Sequence, residues 1–361
     1  MRILHFVSTL SYESGVMSVI MNYYRNINTS MIQFDFLYFI KSQNSYEKEI
    51  NALGGKTYFI EKPSIKSINT FKEFFKQHMG EYKWFHNHEV YLTFFLRPLS
   101  KRYGIKNFIV HCHATKYSDK FISSIRNAIL CFPIKFMDIN RVACSELAGN
   151  FLYGTNKKFF VVRNAIDIEK FSYCEQERMR IRDKLLINDK LVIGHIGRFE
   201  KQKNHKFIIK IFKSILDENK NAILILIGEG HLKSEVERIV NHYGISENVI
   251  FIGRTEKIKE FLSAFDVFIL PSIYEGFPVS AIEAQANGLR CFLSDKITEE
   301  AVLSKNIIRL PIKNEILWSK EIIKYKNSYK HENISDRLKK EFDIKITVKK
   351  LEHFYNGFIE I

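Results

Sequence analysis

Glu275 and Glu283 stand with seven residues between them in the stretch Leu270-Pro-Ser-Ile-Tyr-Glu-Gly-Phe-Pro-Val-Ser-Ala-Ile-Glu-Ala-Gln-Ala-Asn-Gly288. A carboxylate accepts paired hydrogen bonds from a vicinal diol, so sugar or ribose hydroxyls are its natural partners. The apolar run from Asp266 to Leu270 reads as a buried parallel strand. Pro271, Gly276 and Pro278 punctuate a loop, a helical pattern starts at Val279, and Gly288 marks its C-terminal stop. Strand, Gly/Pro loop and helix N-terminus together leave unpaired N–H groups and a positive dipole end, a site for an anion such as a diphosphate. A second set is cationic: in Ile193-Gly-His-Ile-Gly197-Arg-Phe-Glu-Lys-Gln-Lys203-Asn-His205, Arg198 follows a strand end and Lys203 sits near the next helix start. Guanidinium plus ammonium beside a helix N-terminus can clamp a diphosphate, as a metal would otherwise do. A third set is imidazole. His86-Asn-His88 and His111-Cys-His113 end two successive strand-like runs, so they are expected to converge on one crevice wall. Four histidines could supply metal ligands or be satisfied structural side chains. No acidic residue sits at ligand spacing, and no metal is expected.

The elements that must hold these groups alternate strand and helix. Strand-like runs fall at Arg2–Val7, Phe34–Phe39, Thr57–Ile60, Trp84–His88, Phe108–His111, Arg141–Cys144 and Phe159–Val162 in the first half. In the second half they fall at Leu191–Ile196, Ala222–Ile227, Val249–Ile252, Val267–Leu270, Arg290–Leu293 and Ile307–Leu310. Helical patterns between them imply an α/β protein with two Rossmann-like parallel sheets. The expected division is an N-terminal domain over 1–172, a C-terminal domain over 173–343 and an amphipathic segment over 344–361. Ser145 is a natural N-cap for the segment after it. In such paired folds the ligand crevice lies at the carboxyl ends of both sets of strands.

Composition narrows the classes. At 361 residues the chain suits two domains. Five cysteines without a C-x-x-C pair read as reduced cytosolic thiols, not a zinc or disulfide framework. No apolar run reaches membrane-spanning length; the richest stretch, Phe121 to Met137, contains Arg126, Pro133 and Lys135. The N-terminus runs straight into a strand, so no signal peptide is expected. Net charge is +15, and 23 basic against 13 acidic residues up to Lys170 place +10 of it in the first half. Anionic lipid, nucleic acid, or simple abundance of lysine in the chain would each account for that excess. No nucleic-acid motif supports the second, and no nucleic-acid partner is expected.

The context E-G-F-P-x-x-x-x-E-A-x-A-x-G resembles the E-x7-E signature of retaining GT-B glycosyltransferases, family 4, in the bacterial exopolysaccharide and capsule branch. Asn22-Tyr-Tyr-Arg-Asn-Ile, Leu53-Gly-Gly-Lys56, Ala143-Cys-Ser145 and Val161-Val-Arg-Asn164-Ala-Ile-Asp167 add to the resemblance. It implies two Rossmann-like domains facing each other across a deep crevice, with the final helix crossing back to the first domain. It implies transfer of a sugar from a nucleotide-sugar, with UDP the expected nucleotide, to an acceptor hydroxyl on a lipid-diphosphate-linked glycan. The enzyme would be retaining and would need neither cofactor nor metal; the absence of an Asp-x-Asp motif agrees with this. Retention could proceed by front-face attack or through a transient nucleophile.

The resemblance also distributes roles. Glu275 would touch the donor sugar, with His111 and His113 orienting the reacting groups. Gly15, Arg198, Lys203 and the backbone at Phe277, Pro278 and Val279 would hold the diphosphate. Glu283, Ile252 and Gly253 would hold the ribose and base, and His86 and His88 would lie on the acceptor side. Localisation would be cytoplasmic, at an anionic inner membrane face. Ser14, Ala114 and Ala165 depart from the family pattern. They motivate a rival reading, a silent nucleotide-binding subunit paired with a true transferase. A sugar-nucleotide epimerase is a further alternative.

Overall fold

The computed structural model describes residues 1–64, 67–78, 80–118, 121–275, 277–325 and 331–358. The chain divides into two compact units, Met1–Ala165 with Ile344–Ile361, and Ile166–Asp343. The junction thus lies at 165/166, whereas the sequence suggested 172/173. The reason is local: Asp167 caps the short helix Ile168–Phe171 by accepting from the Lys170 N–H at 3.1 Å, and this helix belongs to the second unit.

The first unit carries a seven-stranded parallel sheet in the order β3-β2-β1-β4-β5-β6-β7. Its strands are β1 (Arg2–Thr9), β2 (Gln33–Ile40), β3 (Thr57–Phe59), β4 (Trp84–Asn87), β5 (Asn107–Cys112), β6 (Asn140–Ala143) and β7 (Phe160–Val161). One apolar cluster includes Leu4, Phe6, Phe85, Phe108 and Val110, side chains that alternate out of the central strands to the same face. The helix Gly15–Asn26 follows β1 and is started by Ser14, whose hydroxyl accepts from the Met17 N–H at 3.3 Å. The helix Ile344–Tyr355 also belongs to this unit. The Trp84 indole N–H donates to the Tyr355 carbonyl at 3.0 Å.

The second unit carries a six-stranded parallel sheet in the order β10-β9-β8-β11-β12-β13. These strands are β8 (Leu191–Ile196), β9 (Ala222–Ile227), β10 (Val249–Gly253), β11 (Val267–Leu270), β12 (Arg290–Ser294) and β13 (Ile307–Leu310). They are largely apolar because helices cover both faces of a parallel sheet, with His195, Arg290, Ser294 and Arg309 as the polar exceptions. Asp266 anchors the entry to β11, accepting from Arg182 at 2.6 Å and from the Val192 N–H at 2.8 Å, with Arg178 as a further partner. In both sheets strand order reverses beside the first strand of the unit, and at such a switch point the strand ends and helix starts diverge to leave room for a ligand.

Candidate functional site

In the second unit the β8 and β11 ends bring the two charged sets together. The Lys203 ammonium lies 2.6 Å from a Glu275 oxygen, and both side chains are largely buried. Gln202 donates to the other Glu275 oxygen at 3.0 Å, and the Ser272 hydroxyl donates at 2.7 Å. The Ile273 N–H to Gln202 carbonyl bond, 2.9 Å, ties the two loops by backbone as well. Lys203 is therefore held in place by the very carboxylate expected to face the sugar. Arg198 is more open and pairs with Glu200 at 2.9 Å.

The helix Val279–Ala286 follows the β11 loop. Its N-cap is Pro278, and no side chain caps it. Proline has no N–H, so Pro278 offers no donor; among the three positions expected to contact diphosphate, only the Phe277 and Val279 N–H groups can serve. The Phe277 ring is buried and stacks on Phe342 with centroids 5.1 Å apart, pinning the loop. Gly276 lies outside the described residues, as do Asp119 and Lys120 of the basic stretch. The helix ends as expected, with Gly288 at φ 78° just beyond it. Glu283, inside the helix, is only partly exposed. Burial pushes its carboxyl up to about 8, against a downward pull from Lys170.

Glycines interlock the loops beside this network. A Cβ on Gly228 (φ 144°) would sit 2.2 Å from the Gly197 carbonyl oxygen, and one on Gly230 (φ 154°) 2.6 Å from that of Phe199. The Gly228-x-Gly230 turn is thus required for loop to meet loop, independently of any ligand. Gly253, at φ 75°, closes β10 with Ile252 partly exposed before it. Gly15 differs: a Cβ there would meet nothing within 4 Å, so no packing inside the chain demands a glycine.

In the first unit the histidines do converge, and a fifth joins them. β1 and β4 pair His5 with His86, and period-two alternation puts His88 on the same face; β5 supplies His111, and His113 follows. Two chains of ring nitrogens result. His5 Nδ1 lies 3.0 Å from His88 Nε2, and His88 Nδ1 lies 2.8 Å from His113 Nε2. Tyr355 Oη lies 2.6 Å from His86 Nδ1, and His86 Nε2 lies 3.1 Å from His111 Nδ1. Neutral imidazoles, each with one donor and one acceptor, can chain in this way. Burial holds His5 down to about 3 and His113 to about 4, and together with neighbouring histidines holds His86, His88 and His111 well below the usual range.

The assignment of His86 and His88 to the acceptor side needs correction. Both are buried, and both nitrogens of each are engaged inside the unit, leaving none for a substrate. His111 is 1% exposed, with Nε2 sealed in and unpartnered. His113 alone of the five is partly exposed, and its Nδ1 has no hydrogen bond among the described residues. Among the described residues two histidine triads bring nitrogens within 4.8 Å. A tetrahedral zinc shell would hold ligand nitrogens about 3.3 Å apart. The 2.8–3.1 Å separations here are those of hydrogen bonds and already use the same nitrogens.

Sequence reasoning missed His5, Tyr355 and Glu89. His5 could have been found by extending the same-face argument to the strand paired with β4. Glu89 follows directly on His88; burial raises its carboxyl, opposed by hydrogen bonds from Ser8. Ser145 is a cap, as read, accepting from the Ala148 N–H at 3.1 Å.

Residues 177–340 match the model of the glycosyl transferases group 1. EpsF of Bacillus subtilis (strain 168) is 32% identical over 339 residues, covering 89% of this chain and 86% of that protein. The chain belongs to the group 1 glycosyltransferases. Another relative in sequence is the Escherichia coli UDP-Gal:alpha-D-GlcNAc-diphosphoundecaprenol alpha-1,3-galactosyltransferase, 29% identical over 155 residues, 42% of this chain and 40% of that one. Anabaena Alr3699/HepE, solved in complex with UDP and glucose, shares the fold with a TM-score of 0.82 at 14% identity, over 99% of this chain and 100% of that one. The two parallel sheets are those of a GT-B glycosyltransferase. Among the described residues no helix is long and apolar enough to cross a membrane.

Proposed function

We propose that this glycosyltransferase transfers a sugar from UDP-sugar to a hydroxyl of a lipid-diphosphate-linked glycan, in capsule or exopolysaccharide synthesis, with retention of configuration and without a metal. The nucleotide reading draws on the UDP bound in the Anabaena neighbour, and the acceptor reading on the diphosphoundecaprenol named for the E. coli relative. The observation that carries the proposal is the Lys203–Glu275 pair, braced by Ser272 and Gln202, on the loop that opens into the uncapped Val279–Ala286 helix. A diphosphate at that helix start meets N–H groups and the dipole, with Lys203 and Arg198 as counter-charges.

In this reading the C–O bond between the anomeric carbon and the β-phosphate breaks, and both electrons leave with UDP. The acceptor oxygen bonds the anomeric carbon on the same face, and its proton passes to the departing phosphate oxygen. Glu275 accepts three side-chain hydrogen bonds, one charge-assisted, and a carboxylate so stabilised is a poor nucleophile. That supports front-face attack over a covalent intermediate, with Glu275 positioning Lys203 and the donor sugar. Glu283 faces the ribose hydroxyls, and His113 Nδ1 is the imidazole atom available to the reacting groups.

Thermal shift with uridine, guanosine and adenosine diphosphates, each with and without magnesium, tests this. Native-state binding at about 100 times Kd adds roughly 2.7 kcal/mol. Stabilisation by UDP that is indifferent to magnesium and lost in Glu283→Ala is expected. Stabilisation that requires magnesium would overturn metal independence, and no stabilisation by any nucleotide would overturn the donor-site reading.

A further inference from the structure

The helix Phe121–Cys131 is built inside out. Its Asn127 is buried, donating to the Tyr117 carbonyl at 3.0 Å, and Ser123 and Ser124 are partly covered. Four of its apolar residues face outward, Phe121 being 79% exposed, Ile122 82%, Ile125 49% and Ile129 68%, while Cys131 at its end is buried. Phe132 and Phe136, in the 3-10 turns that follow, are 60% and 74% exposed and extend the same face. A helix that serves only a water-surrounded core shows the opposite pattern. The neighbouring helix Thr93–Arg102, which packs against it, adds half-exposed Phe94 and Phe95 and ends in exposed Lys101 and Arg102.

Charge says what covers this face. From Glu89 to Asp138 the sequence holds eight lysines and arginines against three acids, Glu89, Asp119 and Asp138, and Arg97 is buried and paired with Asp138. Arg126 emerges from the helix itself, its guanidinium 5.8 Å from the Tyr91 ring centroid. Two copies docked face to face would set these cations against each other, and like charges across an interface repel. Aromatic and aliphatic side chains on two helices that also carry exposed Lys101, Arg102 and Arg126 instead match an anionic headgroup region over acyl chains. We propose that the outer face of the Phe121–Cys131 helix, with Phe132 and Phe136, seats this protein on the surface of an anionic lipid bilayer. The inference stands on the first unit's surface and does not require the donor-site reading to hold.

Flotation with vesicles of phosphatidylcholine alone, or with about 30% phosphatidylglycerol, tests it. The wild type should float with the anionic vesicles, and less so as salt rises from about 0.05 M to about 0.5 M. The double substitution Ile122→Asp, Ile129→Asp should weaken that binding roughly tenfold or more. Its melting temperature and its thermal shift with UDP should match the wild type, since both positions are solvent-facing and lie outside the charged loop network. Wild type that stays unbound on anionic vesicles overturns the proposal, as does a double variant that floats equally well. Loss of a concentration-dependent dimer in the variant, seen by sedimentation velocity without vesicle binding by the wild type, would give the face to a second copy.

Discussion

The histidine face of the first unit and the charged loops of the second are both built at strand ends, from opposite materials. Five imidazoles, neutral by burial, hold one another by N···N bonds and present a single open nitrogen, Nδ1 of His113. The second unit keeps its charges and satisfies them: Lys203 with Glu275, Arg198 with Glu200. The difference teaches that polar groups in a buried strand end persist in two ways, by losing charge or by pairing it. A neutral stack fixes ring orientation with little field; an ion pair keeps a cation where a leaving anion needs it.

The comparison breaks most sharply at Glu275. Glu275→Ala leaves the Lys203 ammonium largely buried without its partner, and should cost about 3 kcal/mol in urea unfolding. Turnover should fall by about a hundredfold or more. Lys203→Ala should match it in turnover; activity within about twofold of wild type would remove the cation from the mechanism.

Acid and alkali separate the two regions next. Glu283 has a folded value near 8 against an ordinary 4.5. Between those values the unfolded chain is ionised while the folded carboxyl keeps its proton, so stability falls as pH rises from about 4.5 to 8. Glu283→Gln should therefore stabilise at pH 8 by roughly 2 kcal/mol, the full shift being discounted for partial exposure, and change little at pH 4.5. The buried histidines act in the other direction. Their folded values lie below 6.5, so below that pH the unfolded chain takes up protons first and stability drops with acid. His195 and His205 in the second unit add to the acid limb. Melting curves across pH should show an optimum between the two limbs, with the alkaline limb alone flattened in Glu283→Gln.

The smallest effect distinguishes two histidines. His111→Ala should cost about 1–2 kcal/mol, because it empties a buried position and leaves His86 Nε2 without a partner. His113→Ala should leave stability within about 0.5 kcal/mol yet lower turnover by roughly tenfold or more. Equal melting temperatures with the turnover loss on His111 instead would reverse which imidazole meets the reacting groups.

The strand plan was legible because parallel strands covered on both faces are continuous apolar runs. Leu191–Ile196, Ala222–Ile227, Val267–Leu270 and Ile307–Leu310 fall where their sequence places them. Charged site residues announce themselves by context, as Arg198 after Gly197 does. Pairing does not: Lys203 and Glu275 are 72 positions apart, and only the folded loops show that each restrains the other. His5 stayed hidden because one imidazole in an apolar strand carries no spacing signal of its own. The outward face of Phe121–Cys131 stayed hidden for a related reason. Apolar residues in a helical pattern read as core, and only exposure reveals the inversion.

The glycine contacts between the β8 and β9 loops set limits for anyone recoding this enzyme. Gly228 and Gly230 abut the backbone at Gly197 and Phe199, on either side of Arg198. A library that varies these glycines mostly samples displaced arginines, whatever nucleotide is offered. Glu229 between them, half-exposed and paired with Lys233 at 3.0 Å, is the position where diversity leaves the scaffold standing.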